Sequence, residues 1–303
     1  MNEKTQGWIN LYKPSNISSN HALTLIKKKF RVNKIGHAGT LDPLAEGILP
    51  IAVGQATKLV KFISNYNKKY IFKIKWGEQT STDDSEGYVI KSSSKIPKRN
   101  DLKKKLSKFI GYIDQIPPAA SAIKINGVRA YKLFRKNQNF ELKSRKVYVK
   151  KTKLLKTTDY NFSTIEIECG KGFYVRSLAR DLALSLGAFG HVSYLKRAKI
   201  GNFDQNSAIL LDDLLKIGQT HFEFNCIHTS MSMLDDILAY EIENKEDQTN
   251  LSFGRSIYLD LKKFNKPPLN STDDKIVFLS KKGNVVSYGK LDGNLFKPKK
   301  IFI

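Results

Sequence analysis

The groups that could do chemistry in this chain begin with an aspartate in a charge-poor loop, "GHAGTLDPLAEGILPIAVGQATK" (residues 36–58). Between Lys34 and Lys58 lie 23 residues with no Lys or Arg, where a 303-residue chain holding 52 of them would place about four. Asp42 stands there between Leu41 and Pro43. A carboxylate in such a place can attack an electrophile, take a proton, or simply cap a helix. The last role is the bland one: Asp-Pro is a favoured helix start, with Pro43 at the first helical position. Two features weigh towards chemistry. Gly36, Gly39 and Gly47 let the backbone approach a ligand closely. No cation is near in sequence, so any partner for Asp42 must come from a distant segment. Arg is the better candidate than Lys, since its planar fork matches a carboxylate. There are only nine Arg against 43 Lys. Arg176, in "GFYVR" after a "GKG" turn and beside Tyr174, is the one singled out. Its alternative is a solvated helix face, because Arg180 follows one turn on.

Other chemistries find no support. There is no Walker sequence, no G-x-G-x-x-G and no G-x-S-x-G. His221 and His228 flank Cys226 in "HFEFNCIH", but the spacing matches no standard zinc pattern. Cys169 and Cys226, far apart, make no disulfide framework. Any reaction is therefore expected to run on side chains alone, with no metal and no cofactor.

The elements that must position these residues read as follows. "YIFKIKW" (70–76) alternates, placing Tyr70, Phe72, Ile74 and Trp76 on one face and Lys73 and Lys75 on the other, a half-buried strand. "TSTDDSEG" after it is a turn. "DLKKKLSKFIGYI" (101–113) puts Leu102, Leu106, Phe109, Ile110 and Ile113 at helical spacing. "STIEIEC" (163–169) is a second alternating strand, and "FYVRSLARDLALSLG" a helix stopped by Gly187. The mixture without regular βαβ alternation indicates an α+β fold on a mixed, largely antiparallel sheet. Residues 118–146, basic and Asn-rich with a short helical "RAYKLF", read as an insertion. The end of the chain gives three short strands with "KKGN" and "DGN" turns, a small β domain. The boundary is placed near residue 237, giving units 1–236 and 237–303.

Charge narrows the partner. The net charge is +24, of which the first 229 residues carry +22 and the rest +2. A polyanion, most simply nucleic acid, is expected along the first unit. Lysine-rich bias explains much of the lysine content and less of its distribution. No apolar run is long enough for a membrane span and the start has no secretory pattern, so a cytoplasmic location is expected.

With these residues in view, "GHAGTLDPLAEGILPIAVGQATK" resembles the catalytic motif of the TruB family of tRNA pseudouridine-55 synthases. "LYKPSNISSN", "KKYIF", "PPAASAIKINGVRAYKLFR", "GFYVRSLARDLALSLG" and "GHVSYLKRAKIGNF" resemble further family blocks, in order, over about residues 7 to 215. The resemblance implies a pseudouridine synthase fold, an RNA-gripping insertion and a C-terminal domain of the PUA type. It implies that Asp42 is the nucleophile, that Tyr70 stacks on the target base and takes part in proton abstraction, and that Arg176 pairs with Asp42. It implies a substrate-binding set of His37, Tyr174 and Leu195, with Lys13 and Pro14 beneath as buttresses. Asn16 stands where the family has Gly, Phe134 where a small residue is common, and Lys196 and Ala198 where Arg and Thr are usual.

The implied partner is the T-arm of tRNA, bound by a monomer with no protein partner and no membrane. The implied reaction breaks N1–C1′ of uridine, turns the base, and joins C5 to C1′, consuming nothing. Two rivals stand beside it. One is a non-catalytic RNA-binding or RNA-folding protein, which would have no need of the acid. The other is the catalytic subunit of a guide-RNA-directed pseudouridylase.

Overall fold

The structure, a computed structural model, describes residues 6–219, 222, 225–234, 237–266 and 276–302. Eight strands form the path of a large sheet, in the order Ile209–Leu210, Gly7–Lys13, Glu46–Val53, Gly190–Ile200, Lys68–Trp76, Phe162–Cys169, Arg145–Leu154, Gly111–Gln115. Two short strands, Ile35–His37 and Phe203–Asp204, pair at its side. Two pairings are parallel, Gly7–Lys13 with Ile209–Leu210 and Glu46–Val53 with Gly190–Ile200. The other pairings along that path are antiparallel, so the sheet is mixed and largely antiparallel as expected.

One face of the sheet carries the main core. Ile9, Leu11, Leu49, Ile51, Phe72, Ile74 and Ile167 pack there against the helices Ser19–Phe30 and Val175–Ser185. The second helix turns Leu178, Ala179 and Leu182 inward and ends before Gly187 at φ 64°. This is the C-terminal left-handed position that glycine fills at no steric cost. The alternation read in Lys68–Trp76 holds, with Phe72, Ile74 and Trp76 buried and Lys73 exposed.

One local expectation is corrected, and the bland alternative for Asp42 falls. The helix read over 101–113 spans Arg99–Ser107 only. Gly111 takes φ 97°, and Ile113 lies in the edge strand opposite Val147, so its apolar side chain serves the sheet. Asp42-Pro43 starts no helix; residues 43–44 are a turn. The segment 118–146 leaves the sheet between Gly111–Gln115 and Arg145–Leu154, carrying a hairpin (Lys124–Ile125 with Val128–Arg129) and the helix Ala130–Arg135.

A second sheet of five strands runs in the order Leu238–Glu241, Ile276–Lys281, Asn284–Asp292, Leu295–Ile301, Ile257–Tyr258, and so includes the three strands read at the chain end. Phe278, Tyr288 and Phe302 from it share a core with Trp8, Ile48, Leu59 and Phe203 from the first. No helix among the described residues is long and apolar enough to cross a membrane. Among them no group of His, Cys, Asp and Glu is arranged to hold a metal ion; His221 lies outside the described residues.

Candidate active site

The Asp42 loop joins Ile35–His37 to Glu46–Val53. The Ala45 N–H donates to the Asp42 carbonyl at 3.1 Å, closing a turn in which Pro43 takes the second position, where its fixed φ fits. The loop is pinned from two sides. The Ser19 hydroxyl donates to the Leu41 carbonyl and accepts from the Leu41 N–H, both at 2.9 Å. Lys13, wholly buried, donates to the carbonyls of Pro14 and Ile17 at 2.7 Å and of Pro43 at 3.4 Å. Burial pushes its ammonium down to about 8, against the pull of Asp42. Asn16 adopts φ 65°, a left-handed conformation that Asn tolerates, and its N–H reaches the Pro43 carbonyl at 2.7 Å.

The Asp42 carboxylate is thereby left free of capping. Its side chain is 34% exposed, and Oδ2 lies 3.0 Å from Nη2 of Arg176. Arg176, 4% exposed, is not on a solvated face. Its Nη1 is 3.2 Å from Oδ2 of Asp84, and it donates to the carbonyls of Thr82 and Ala120 at 3.1 Å. One guanidinium thus ties together the Asp42 loop, the "TSTDDSEG" turn and the insertion. Arg180, four residues on and so on the same helix face, repeats the device. Its Nη1 is 2.8 Å from Asp83 Oδ2 and its Nη2 donates to the Ile116 carbonyl at 2.7 Å. Burial raises the Asp83 and Asp84 carboxyls above their usual range, against the charges of these arginines. Sequence reasoning missed Asp84. The signal was available, as two adjacent acids in a turn of a basic chain.

Tyr70 projects from the core face of its strand, two residues before the buried Phe72. Its register partner is Arg197, and Leu195 lies opposite Phe72. Burial pushes the Tyr70 phenol up, and Asp42 and Cys169 push the same way; Arg197 opposes them by charge and by a hydrogen bond. Arg197 is the second residue that sequence reasoning passed over. It is 1% exposed, with Nε donating to the Ile48 carbonyl at 2.7 Å and Nη2 to the Gly39 carbonyl at 2.8 Å. Gly47, at φ 105°, lets this strand pass: a Cβ there would come within 2.3 Å of the Arg197 carbonyl oxygen.

These elements enclose a cavity of about 320 Å3 lined by Asp42, Tyr70, Tyr174, Arg176, Leu195 and Arg197, among others. Tyr174 is oriented by its backbone, whose N–H and carbonyl both bond the Gln115 side chain, at 2.8 and 3.0 Å. The structure therefore gathers five of the residues singled out by sequence. Three stand apart from the lining. Lys13 is spent on carbonyls and is a buttress with no free face, and Pro14 shares that turn. His37 precedes the cavity-lining Ala38; its Nδ1 is buried without a partner, and burial with the Arg197 charge holds its imidazole below the usual value.

An acid held by a buried arginine beside a tyrosine, on this mixed sheet, is the arrangement that the resemblance to the pseudouridine synthases implies. The solved structures agree on the fold: a chain in a crystallised Cbf5-Nop10-Gar1 complex matches over 99% of this chain and 85% of its own, with a TM-score of 0.73 at 22% identity. The model for "TruB family pseudouridylate synthase (N terminal domain)" matches residues 27–175, and that for the "tRNA pseudouridylate synthase B C-terminal domain" matches 176–239. The chain belongs to the TruB family. It is similar to a tRNA pseudouridine synthase B of Caulobacter sp. (strain K31), 45% identical over 253 residues, 84% of this chain and 81% of the relative. It is also similar to that of Rickettsia bellii (strain OSU 85-389), 40% identical over 296 residues, 97% of both chains.

Proposed function

We propose that the protein converts uridine to pseudouridine at position 55 in the T-loop of tRNA, with Asp42 as nucleophile. The observation that carries this reading is the 3.0 Å pair between Asp42 and Arg176 at the wall of a cavity that Tyr70 also lines. Every version of the reaction requires an ionised acid. The Arg176 guanidinium at 3.0 Å gives that carboxylate a charge-assisted partner that fixes its position. Breaking N1–C1′ leaves its electron pair on the base; C5 then bonds to C1′, and the C5 proton departs as N1 gains one. Neither redox change nor a consumed co-substrate enters. Asp42 can attack C1′ or C6, or take a ribose proton, and the charge requirement is the same in each case.

The target base must leave its stack, at a cost of a few kcal/mol. Stacking on Tyr70, at about 1–3 kcal/mol per base, offsets that cost. Leu195 lies beneath and Tyr174 lines the wall. His37, one residue before the lining, faces the folded loop. Basic surface along the first 236 residues and the insertion holds phosphates, and the unit from 237 on is a PUA-type domain that adds RNA contact. The relatives named tRNA pseudouridine synthase B support tRNA as the substrate. The enzyme acts as a cytoplasmic monomer without a protein or guide-RNA partner.

The test is incubation of the pure protein with unmodified tRNA transcript, without metal or cofactor, followed by mapping of the product. Pseudouridine at position 55 alone is expected. Asp42→Asn is expected to bind the transcript normally and form none. Near wild-type turnover by that variant ends the nucleophile assignment, and activity that appears only with an added guide RNA moves the protein to the guide-directed class.

A further inference from the structure

Arg197 is a large cation placed where the fold gains little by placing it. It is 1% exposed, yet it points along the wall of the catalytic cavity. Its anchors are backbone carbonyls: Nε to Ile48 at 2.7 Å, Nη2 to Gly39 at 2.8 Å, and a longer approach of Nη1 to Thr40 at 3.5 Å. A guanidinium carries five N–H donors, so these contacts fix its plane and leave donors over. Its strand position is opposite Tyr70, and both side chains line the same cavity. Gly47 leaves room for its backbone, since a Cβ there would lie 2.3 Å from the Arg197 carbonyl oxygen. Burying a cation on carbonyls alone is costly. A hydrophobic residue would close the same core without that cost, so the charge is there for something in the cavity.

We infer that Arg197 is a positioning residue for proton removal: it holds the Tyr70 hydroxyl as a hydrogen-bond acceptor and stabilises the phenolate that takes the proton from C5 of the rotated base. This rests on the pseudouridine synthase reading above. The step balances. The phenol first loses its proton to solvent. After C5 has bonded to C1′, the phenolate takes the C5 proton, the C5–H electron pair restores the C5–C6 double bond, and N1 takes up a proton. Of the charged groups acting on this phenol, Arg197 favours the phenolate, and Asp42 opposes it together with burial. Arg176 is engaged with Asp42 and Asp84, and Lys68, also in the lining, donates to the Ser64 and Tyr66 carbonyls at 2.9 and 2.6 Å, whereas Arg197 stands opposite the tyrosine in the strand register. The same guanidinium grips the Gly39 carbonyl three residues before Asp42, so nucleophile loop and base share one anchor.

The test uses the full chain, tRNA transcript, and transcript deuterated at C5 of the target uridine. Arg197→Lys keeps a cation but loses the fork. It is expected to bind transcript like wild type and to slow single turnover by about tenfold to a hundredfold, the range of a compromised acid–base step. The C5 isotope effect is expected to rise above the wild-type value, because C5–H cleavage becomes the slow step. Fluorotyrosine at position 70, a more acidic phenol, is expected to recover much of the loss. A slow variant with an unchanged isotope effect and no recovery overturns the inference, leaving Arg197 a purely structural clamp. So does a variant with the wild-type rate. Where Arg197→Lys does not fold, fluorotyrosine at position 70 with Arg197 intact still decides: a C5-cleavage rate indifferent to phenol acidity overturns the proposal, and one that follows it supports the proposal. Wild-type protein that makes no pseudouridine refutes the functional reading itself, a separate outcome.

Discussion

Replacing Asp84 with Asn removes one of the two carboxylates on Arg176 while changing almost no volume. Asp84 is 1% exposed and lies behind Arg176 instead of in the cavity lining, so transcript affinity should stay at the wild-type value. Much of its local structure survives the change, because an amide oxygen can still accept from the Thr82 hydroxyl and the Glu86 N–H, which now bond Oδ1 at 2.5 and 3.0 Å. What is lost is the 3.2 Å ion pair with Nη1 of Arg176. Removing one partner of a buried pair commonly costs about 3–5 kcal/mol when the other charge is left alone. Here Arg176 keeps Asp42 at 3.0 Å and two carbonyls, so the expected loss is one charge-assisted hydrogen bond, about 1.5–3 kcal/mol. Chemical denaturation reads that loss. Catalysis should fall as well, since Arg176 then loses one of the two carboxylates that fix its guanidinium against Asp42 and keeps only the Thr82 carbonyl from the turn. The same energy expressed in the barrier is roughly a tenfold to hundredfold slower single turnover. A variant that loses stability but keeps the wild-type single-turnover rate would show that Asp84 serves the scaffold alone and refute the reasoning.

Lys13 gives a pH signature. Its folded value near 8 lies below the ordinary 10.5, so between those two values the unfolded chain holds a proton that the folded chain has released, and stability rises with pH across that window. Lys13→Met is expected to remove a rise of up to about 3 kcal/mol, read as a smaller gain in denaturation midpoint from pH 8 to 10 than in wild type. Gly47→Ala is expected to destabilise by at least about 3 kcal/mol, since φ 105° and a Cβ at 2.3 Å from the Arg197 carbonyl oxygen leave the strand pair no room; a thermal midpoint within a degree of wild type would contradict this.

The sequence by itself determined much of this protein. The alternation of residues 70–76 required a half-buried strand, since the side-chain period of a strand is two. The absence of cations through residues 35–57 required that any partner for Asp42 come from far along the chain. Asn16, standing where the family has Gly, is a residue type that tolerates the positive φ found there. Local signals failed where local and tertiary preferences conflict. The helical spacing of Ile110 and Ile113 lost to an edge strand that pairs Ile113 with Val147. The Asp-Pro helix start lost to a turn that Ser19 and Lys13 hold from outside. Only the tertiary structure could decide which charges share a wall. Asp42, Asp84 and Arg176 lie 42 and 92 residues apart in pairwise steps along the chain, and Tyr70 meets Arg197 only through the register of two antiparallel strands. Sequence states which side chains can ionise; the interior fixes which of them are taken out of water together, and electrostatic energy depends on that separation and that loss of water.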